Sequence, residues 1–330
     1  MKAFKYILFG LLVSSTLTSC FKEDEPVTPY KSPEGVETAI AEMKPDYSMQ
    51  VYYDLETNQF VKTNHREDWD LSYSCKAGVS AIYLNSAKRM CIFDTQSSDW
   101  EVPVNTNTTE WLFDESTGEP EKTALHGRVD GRIYLLNLGL STAGTKIGFK
   151  KIRFVSNTEQ SINIEYADID GSNIKAVTLT KDTDHNFVYY SFKNGGEHVS
   201  PEPPKDAYDL LFTYYTTRVY HTGSTTDFLW YAVTGVWINP TGVSVAVDSS
   251  DNFSGITYQN LNDFTFSDKR DIIGYDWKRL NDINTGTYTV MTRNTYLIHD
   301  RSASFWKLRF TSFTNDLGYK GYPTFEVGKF

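Results

Sequence analysis

Hydrophobic and polar residues alternate with a period of two over much of the chain, which is the period of a half-buried β-strand. Clear examples are Ile162–Ala167 and Asn173–Leu179, which are joined by Asp168–Ser172. An Asp-Gly pair between two alternating runs predicts a hairpin turn; a calcium loop is not expected, since its other ligands and closing Glu are missing. The pattern predicts an all-β fold of antiparallel sheets with few or no helices.

Four blocks of this pattern recur in the same order, which indicates an internal duplication. The blocks share a strand-like alternation and return as follows: Val51–Leu55 as Val188–Phe192, Asp68–Tyr73 as Ala207–Phe212, Val79–Asn85 as Val233–Asn239, and Phe149–Ser156 as Phe305–Ser312. We therefore expect two β units of domain size, at residues 46–183 and 184–330.

The N-terminus has the pattern of a secretory signal. Lys2 and Lys5 precede the short apolar run Tyr6–Val13, and small polar residues lead to Cys20. Leu-Thr-Ser-Cys resembles the lipobox of bacterial lipoproteins, which predicts a signal peptide at 1–19 and lipidation of Cys20. The acidic run after Cys20 resembles the signal that sends lipoproteins of Bacteroidetes-type bacteria to the cell surface of the outer membrane. The same run and three prolines predict a disordered tether over 20–45.

Composition excludes several classes of function. The chain has 330 residues, a formal net charge of −10 and no block of Lys and Arg, so a nucleic-acid partner is not expected. After the N-terminus no stretch is long and apolar enough to cross a bilayer, so membrane attachment is expected through the lipid alone. The sequence lacks the common nucleophile-elbow, zinc-protease, P-loop and dinucleotide-binding motifs. We therefore expect a binding protein and no enzyme.

Candidate ligand contacts lie in the least regular part of the chain and in one long strand. The segment 93–132 contains Trp100, Trp111 and His126, and long loops on a rigid sheet often carry function. The same tryptophans are also suited to covering a sheet edge. Aromatic residues line both faces of the strand at 212–221, which indicates either a strand covered on both sides or one wall of a ligand groove.

Two cysteines remain once Cys20 is acylated. Cys75 and Cys91 lie in neighbouring strand blocks of a protein exported to an oxidising compartment. The expectation is a disulfide between them, with two buried, inert thiols as the alternative.

Several of these blocks resemble the HmuY-like lipoproteins, a haem-binding family of Bacteroidetes. Besides the lipobox, the resemblance rests on four segments: Asp68–Leu71, Tyr208–Phe212, Lys307–Ser312 and Gly321–Glu326. It covers nearly the whole mature chain, as a double-length member. The family implies an all-β fold, haem held between two axial His or Met side chains, and a TonB-dependent outer-membrane receptor as partner.

Matching regions of the chain offer Met90 and His126 in the first unit as haem ligands, and His221 and Met291 in the second. The resulting hypothesis is a surface lipoprotein that binds haem or a related porphyrin. The alternative is a carbohydrate- or protein-binding surface module of the same fold, with Trp100, Trp111 or Trp230 as stacking platforms.

Overall fold

β-Strands dominate the structure, which is a computed structural model that describes residues 34–126, 129–282 and 285–330. Helices in these ranges are confined to short 3-10 segments, which are Ser86–Lys88, Pro120–Lys122, Lys193–Gly195, Lys205–Ala207 and Tyr258–Asp263. The predicted all-β fold is confirmed. The chain from Pro33 to Phe330 is one compact unit.

Twenty strands are formed in the described ranges, and all named pairs are antiparallel. Those in the first half are β1 (Val36–Ile40), β2 (Met49–Asp54), β3 (Gln59–His65), β4 (Leu71–Ser74), β5 (Ile82–Leu84), β6 (Cys91–Ser97), β7 (Ile133–Asn137), β8 (Phe149–Asn157), β9 (Ser161–Ala167) and β10 (Lys175–Thr180). Those in the second half are β11 (Phe187–Ser191), β12 (Glu197–Val199), β13 (Leu210–Tyr220), β14 (Phe228–Ile238), β15 (Ser244–Asp248), β16 (Lys278–Asp282), β17 (Thr287–Val290), β18 (Thr295–His299), β19 (Phe305–Thr314) and β20 (Lys320–Lys329).

These strands form two corresponding pairs of sheets and one two-stranded ribbon. The first pair has the orders β12-β11-β4-β5 and β10-β9-β8-β7-β6. The second pair has the orders β3-β2-β13-β14 and β1-β20-β19-β18-β15, and β16 pairs with β17. The first pair of sheets is built from one continuous stretch of chain, whereas the second combines the two ends of the described chain.

Each repeated sequence block forms a strand at the corresponding place in the two pairs of sheets. The matched strands are β2 with β11, β4 with β13, β5 with β14, and β8 with β19. However, β2 of the first predicted unit pairs with β13 of the second, and β11 of the second unit pairs with β4 of the first. The first repeated block of each unit therefore lies beside the second block of the other unit. The grouping of strands into sheets therefore does not coincide with the predicted division at 183/184.

A buried aspartate explains why the Asp-Leu signature recurs. Asp70 precedes β4 and accepts a hydrogen bond from the backbone N–H of Phe192 at 2.6 Å. Asp209 precedes β13 and accepts one from the N–H of Leu55 at 2.8 Å. Each carboxylate thus ties a signature strand to the end of its neighbour and satisfies a backbone donor that would otherwise be buried without a partner.

Two hydrophobic cores follow the same grouping as the sheets. One is built from residues between 71 and 192, and the other from residues 41–55 together with 210–327. In the second core the rings of Trp277 and Phe310 stack with centroids 4.1 Å apart. Burial of such apolar surface is the main source of stability for these sheets.

The structure corrects the predicted tether. Residues 36–40 form β1, which pairs with β20, and the side chains of Ala41 and Met43 are fully buried. The ordered chain therefore begins before residue 46, because this segment completes a sheet edge and a core. The predicted signal peptide and Cys20 lie outside the described residues. Within the described ranges, no helix has the length and apolar character needed to cross a membrane.

The predicted disulfide is not formed, since Cys75 and Cys91 are both free thiols. Cys75 follows β4, and its N–H donates to the carbonyl of Asn186. Cys91 begins β6, which belongs to a different sheet from β4, and is paired there with Asn137 of β7. Neighbouring positions in the sequence therefore lead into separate sheets. Burial raises the pKa of the Cys91 thiol to about 12, as expected for an inert structural cysteine.

Candidate functional site

A cavity of about 780 Å³ lies between the β13–β14 hairpin and the β16–β17 ribbon. Its lining includes five tyrosines, and we call it the tyrosine cavity: Tyr47, Tyr214, Tyr231, Tyr275 and Tyr288. The volume lies within the range of about 300–1,000 Å³ that is usual for small-molecule sites.

The segment before β16 is held against β14 by a close backbone approach. Val236 and Gly274 exchange two hydrogen bonds, of 2.9 and 3.1 Å. A Cβ atom on Gly235 would lie 2.3 Å from the carbonyl oxygen of Gly274, so a side chain at residue 235 would prevent this approach. The N–H of Met291 also donates to the carbonyl of Trp277 at 2.7 Å, which ties the residue after β17 to the residue before β16. These contacts fix the wall opposite β13.

Stacked rings form a further part of the lining. Tyr47 precedes β2 and stacks on Tyr214 of β13 with ring centroids 5.9 Å apart. Burial raises the pKa of Tyr47, Tyr214 and Tyr288 above the usual value. These phenols therefore stay protonated at neutral pH and offer flat apolar faces together with neutral hydroxyl groups.

The cavity is locally basic in an acidic protein. Its lining contains three cations, Lys278, Arg279 and Lys320, but one acid, Asp276. The whole chain, by contrast, carries a formal charge of −10. Lys278 is almost completely buried, at 7% exposure, whereas Arg279 and Lys320 are exposed. This arrangement favours a ligand with acidic groups.

The haem ligands predicted from sequence are not brought together. Met90 is 1% exposed and belongs to the core built from residues 71–192. His126 is exposed, with its Nδ1 atom 3.2 Å from the carbonyl oxygen of Pro120. His221 is exposed beyond the end of β13. None of these three lines the tyrosine cavity, whereas Met291 does.

The predicted tryptophan platforms lie in separate ring clusters. Trp111 stacks on Phe149 with centroids 6.2 Å apart, and Trp230 stacks on Phe113 at 4.9 Å. The guanidinium of Arg153 lies 5.0 Å from the ring of Trp100. All three tryptophans are half-buried and none lines the tyrosine cavity. They pack mainly against other parts of the fold.

Of the features singled out in the sequence, Met291 and the aromatic strand at 212–221 contribute to the cavity, and the rest of its lining was not predicted. The doubly aromatic strand at 212–221 supplies Tyr214, as a ligand groove would require. Lys278 and Tyr288 carried no signal, because a lysine in a strand pattern is usually exposed and a single tyrosine is usually packing. Among the described residues, no group of three or more His, Cys, Asp or Glu side chains is placed to hold a metal ion.

Comparison with known proteins assigns the family. The model of the HmuY protein family matches residues 46–327 in one span. The chain belongs to the HmuY family. This is a haem-binding-related family of binding proteins, as the resemblance in sequence predicts.

Two solved structures are similar to the chain over most of its length. Apo PinO from Porphyromonas gingivitis is 12% identical, with 89% of this chain and 96% of that one covered and a TM-score of 0.30. The apo HmuY analog of Tannerella forsythia is 9% identical, with 89% and 95% covered and a TM-score of 0.29. No curated protein matches the chain.

The lining of the tyrosine cavity fits the haem group that the HmuY family implies. The Tyr47 hydroxyl is buried at the wall and has no hydrogen-bond partner among the described residues. Methionine sulfur and tyrosine oxygen are both known axial donors to haem iron, and the cavity offers Met291 beside its five tyrosines. The exposed cations Arg279 and Lys320 suit the acidic edge of a porphyrin.

Proposed function

We propose that this protein binds haem or a related porphyrin in the tyrosine cavity. The observation that carries the proposal is the combination of volume, aromatic lining and local positive charge in one cavity of an acidic protein. A porphyrin has two flat apolar faces and a carboxylate edge. Tyrosine rings suit the faces, and the cations of the lining suit the edge.

Residues of this chain would hold the ligand in distinct ways. Tyr214 of β13 and Tyr288 of β17 would offer ring faces to the macrocycle, and Met291 or a tyrosine hydroxyl would offer a ligand to the iron. When bound, the haem iron supplies a coordination site for that donor.

We further propose that lipidation of Cys20 anchors the protein to the outer membrane with the folded part at the cell surface. The lipobox and the acidic run after it support this location. A surface haem binder needs an acceptor, and a TonB-dependent receptor is the proposed partner. Cys20→Ala should move the protein from the membrane fraction to the soluble fraction, whereas a protein that stays with the membrane would contradict the anchor.

Haemin titration of the chain from Asp24 onward tests the binding proposal. This truncation leaves the compact unit from Pro33 to Phe330 intact. We expect a saturable Soret shift at one equivalent. Ala232 lines the cavity, so Ala232→Trp should reduce affinity at least about tenfold, because a filled site excludes the macrocycle.

Ala176 provides the matched control, since it is exposed on β10 in the other pair of sheets. Ala176→Trp should bind haemin like the unmodified chain. A featureless, non-saturating spectrum, or equal binding by both variants, would contradict haem binding in this cavity.

A protein-contact function, part of the alternative from sequence, has one observation in its favour. On one face of the outer half of the β13–β14 hairpin, Leu229 is 57% exposed and Tyr231 is 49% exposed. Clustered exposed apolar side chains often mark interaction surfaces. Leu229→Asp should weaken capture of a receptor partner and leave haemin affinity unchanged if this surface docks protein.

A further inference from the structure

Among the described residues, three lysine side chains are almost completely buried, and one of them differs from the other two. Lys88 forms an ion pair with Asp70, and both side chains are 2% exposed. Lys151 donates to two backbone carbonyls, at 2.5 and 2.7 Å. Lys278 is 7% exposed and faces the tyrosine cavity. A buried ammonium normally needs a charged partner or several acceptors, so its surroundings call for an explanation.

The Lys278 ammonium has few partners within the protein. Its Nζ atom donates to the carbonyl of Thr234, and in the described part of the chain no carboxylate oxygen lies within 4.0 Å of it. Three rings surround it, with Nζ 4.3 Å from the centroid of Trp277, 4.9 Å from Phe313 and 5.9 Å from Tyr288. Ring faces stabilise a cation only in part. At least one N–H direction is therefore available to a ligand in the cavity.

We propose that Lys278 is the inner anchor of the tyrosine cavity and forms an ion pair with a carboxylate group of the bound ligand. The inference rests on the proposed function of this cavity and specifies the ligand class as an aromatic or macrocyclic carboxylic acid. Arg279 and Lys320 are exposed cations at the same lining, so water screens their contribution. The ion pair of Lys278, by contrast, forms out of water. Lys278 therefore contributes most to the preference for ligands that carry a carboxylate group.

The pairing is expected to depend on pH in one direction. Burial lowers the pKa of Lys278 to about 7, so the empty protein holds a mixture of ammonium and neutral amine near neutral pH. A bound carboxylate favours the ammonium, and binding therefore takes up a proton. Affinity should be highest below pH 7 and should fall as the pH rises, by up to about tenfold per unit.

Other titratable or charged groups face this part of the cavity. They are Asp276 and Arg279 next to Lys278 in sequence, Tyr275 in the preceding loop, Tyr214 on β13, Tyr231 on β14, Tyr288 on β17, Tyr47 before β2 and Lys320 on β20. Burial raises the pKa of Asp276 and of the tyrosines Tyr47, Tyr214, Tyr275 and Tyr288. Substitution of Lys278 therefore has to remove the pH dependence for the assignment to hold.

Fluorescence titrations with protoporphyrin IX and its dimethyl ester test the proposal, because the ester keeps the ring and lacks the carboxylates. The chain from Asp24 onward and its Lys278→Met, Lys278→Arg and Lys320→Met variants are titrated between pH 6 and pH 9. At pH 6, Lys278→Met should bind the free acid about 10- to 100-fold more weakly and the ester nearly unchanged, as expected for a lost charge-assisted bond. Lys278→Arg should keep tight binding and lose the pH dependence, and Lys320→Met should lose less than about fivefold.

The unmodified chain gives a test that needs no variant: its preference for acid over ester should shrink as the pH rises from 6 to 9. Equal binding of acid and ester at every pH would overturn the role of Lys278, as would equal losses for both ligands in Lys278→Met. Failure of the unmodified chain to bind either compound would overturn the porphyrin proposal itself and this inference with it. A folded unmodified chain that binds the ester as well as the acid would leave the porphyrin site standing and remove the anchor alone.

Discussion

Asp209→Ala should destabilise the protein strongly, because it removes a buried charge with two partners. Asp209 is fully buried; its Oδ1 accepts from the Arg301 guanidinium at 2.8 Å and its Oδ2 from the N–H of Leu55 at 2.8 Å. Breaking a buried ion pair on one side typically costs about 3–5 kcal/mol. Arg301 is 14% exposed at its side chain and keeps a 2.7 Å contact with Asp54, so the lower end applies. We expect the free energy of unfolding to fall by about 3 kcal/mol.

Urea denaturation followed by tryptophan fluorescence measures this change. Asp209→Asn keeps the shape and one acceptor for Leu55, so it should cost less, about 1.5–3 kcal/mol. Glu56→Ala is the matched control, because its pair with Lys329 is exposed at 48% and 43% and should contribute at most about 1 kcal/mol. A loss below about 1 kcal/mol for Asp209→Ala would refute the view that this carboxylate holds β13 to the end of β2.

Three further outcomes are expected. Phe310→Ala should cost about 3–5 kcal/mol in urea denaturation, since the ring is 1% exposed and stacks on Trp277 at 4.1 Å; a loss under about 1 kcal/mol would contradict this packing. The chain from Asp24 onward should give two thiols with Ellman's reagent in denaturant without reductant, while in the folded state Cys91 should react more slowly than the half-buried Cys75; a thiol count of zero would show a disulfide. His126→Ala should leave haemin affinity unchanged, because His126 is exposed and outside the cavity lining; a loss of about tenfold or more would return it to the ligand set.

Several elements of the fold were predictable because they depend on local pattern. Alternation of apolar and polar residues identified β9 and β10 with the turn between them, and repetition of Asp-Leu before β4 and β13 indicated equivalent strands. The structure gives the reason for that repetition, since Asp70 and Asp209 make the same kind of contact to a neighbouring strand. Such contacts constrain residue type at a fixed place in the pattern, and they leave a visible signature.

Pairing between distant strands was not predictable in the same way. The order of the blocks along the chain would be the same whether β2 paired with β4 or, as observed, with β13. The period of two specifies which face of a strand is buried, and it does not specify which strand lies beside it. The same limit applies to the predicted disulfide. Cys75 and Cys91 are close in sequence, but the chain between them passes from one sheet to another.

The sequence by itself determined the strand class, the repeated blocks and the family, since each depends on residue types at fixed spacing. The tertiary structure alone decided the candidate site. Tyr47, Tyr214, Lys278, Tyr288 and Lys320 come from five separate segments and meet at one cavity because β13, β14 and the β16–β17 ribbon pack around it. Burial of Lys278 likewise depends on the Phe313 ring of the distant strand β19 in addition to the neighbouring ring of Trp277, and the desolvation that lowers its pKa arises only in the folded chain.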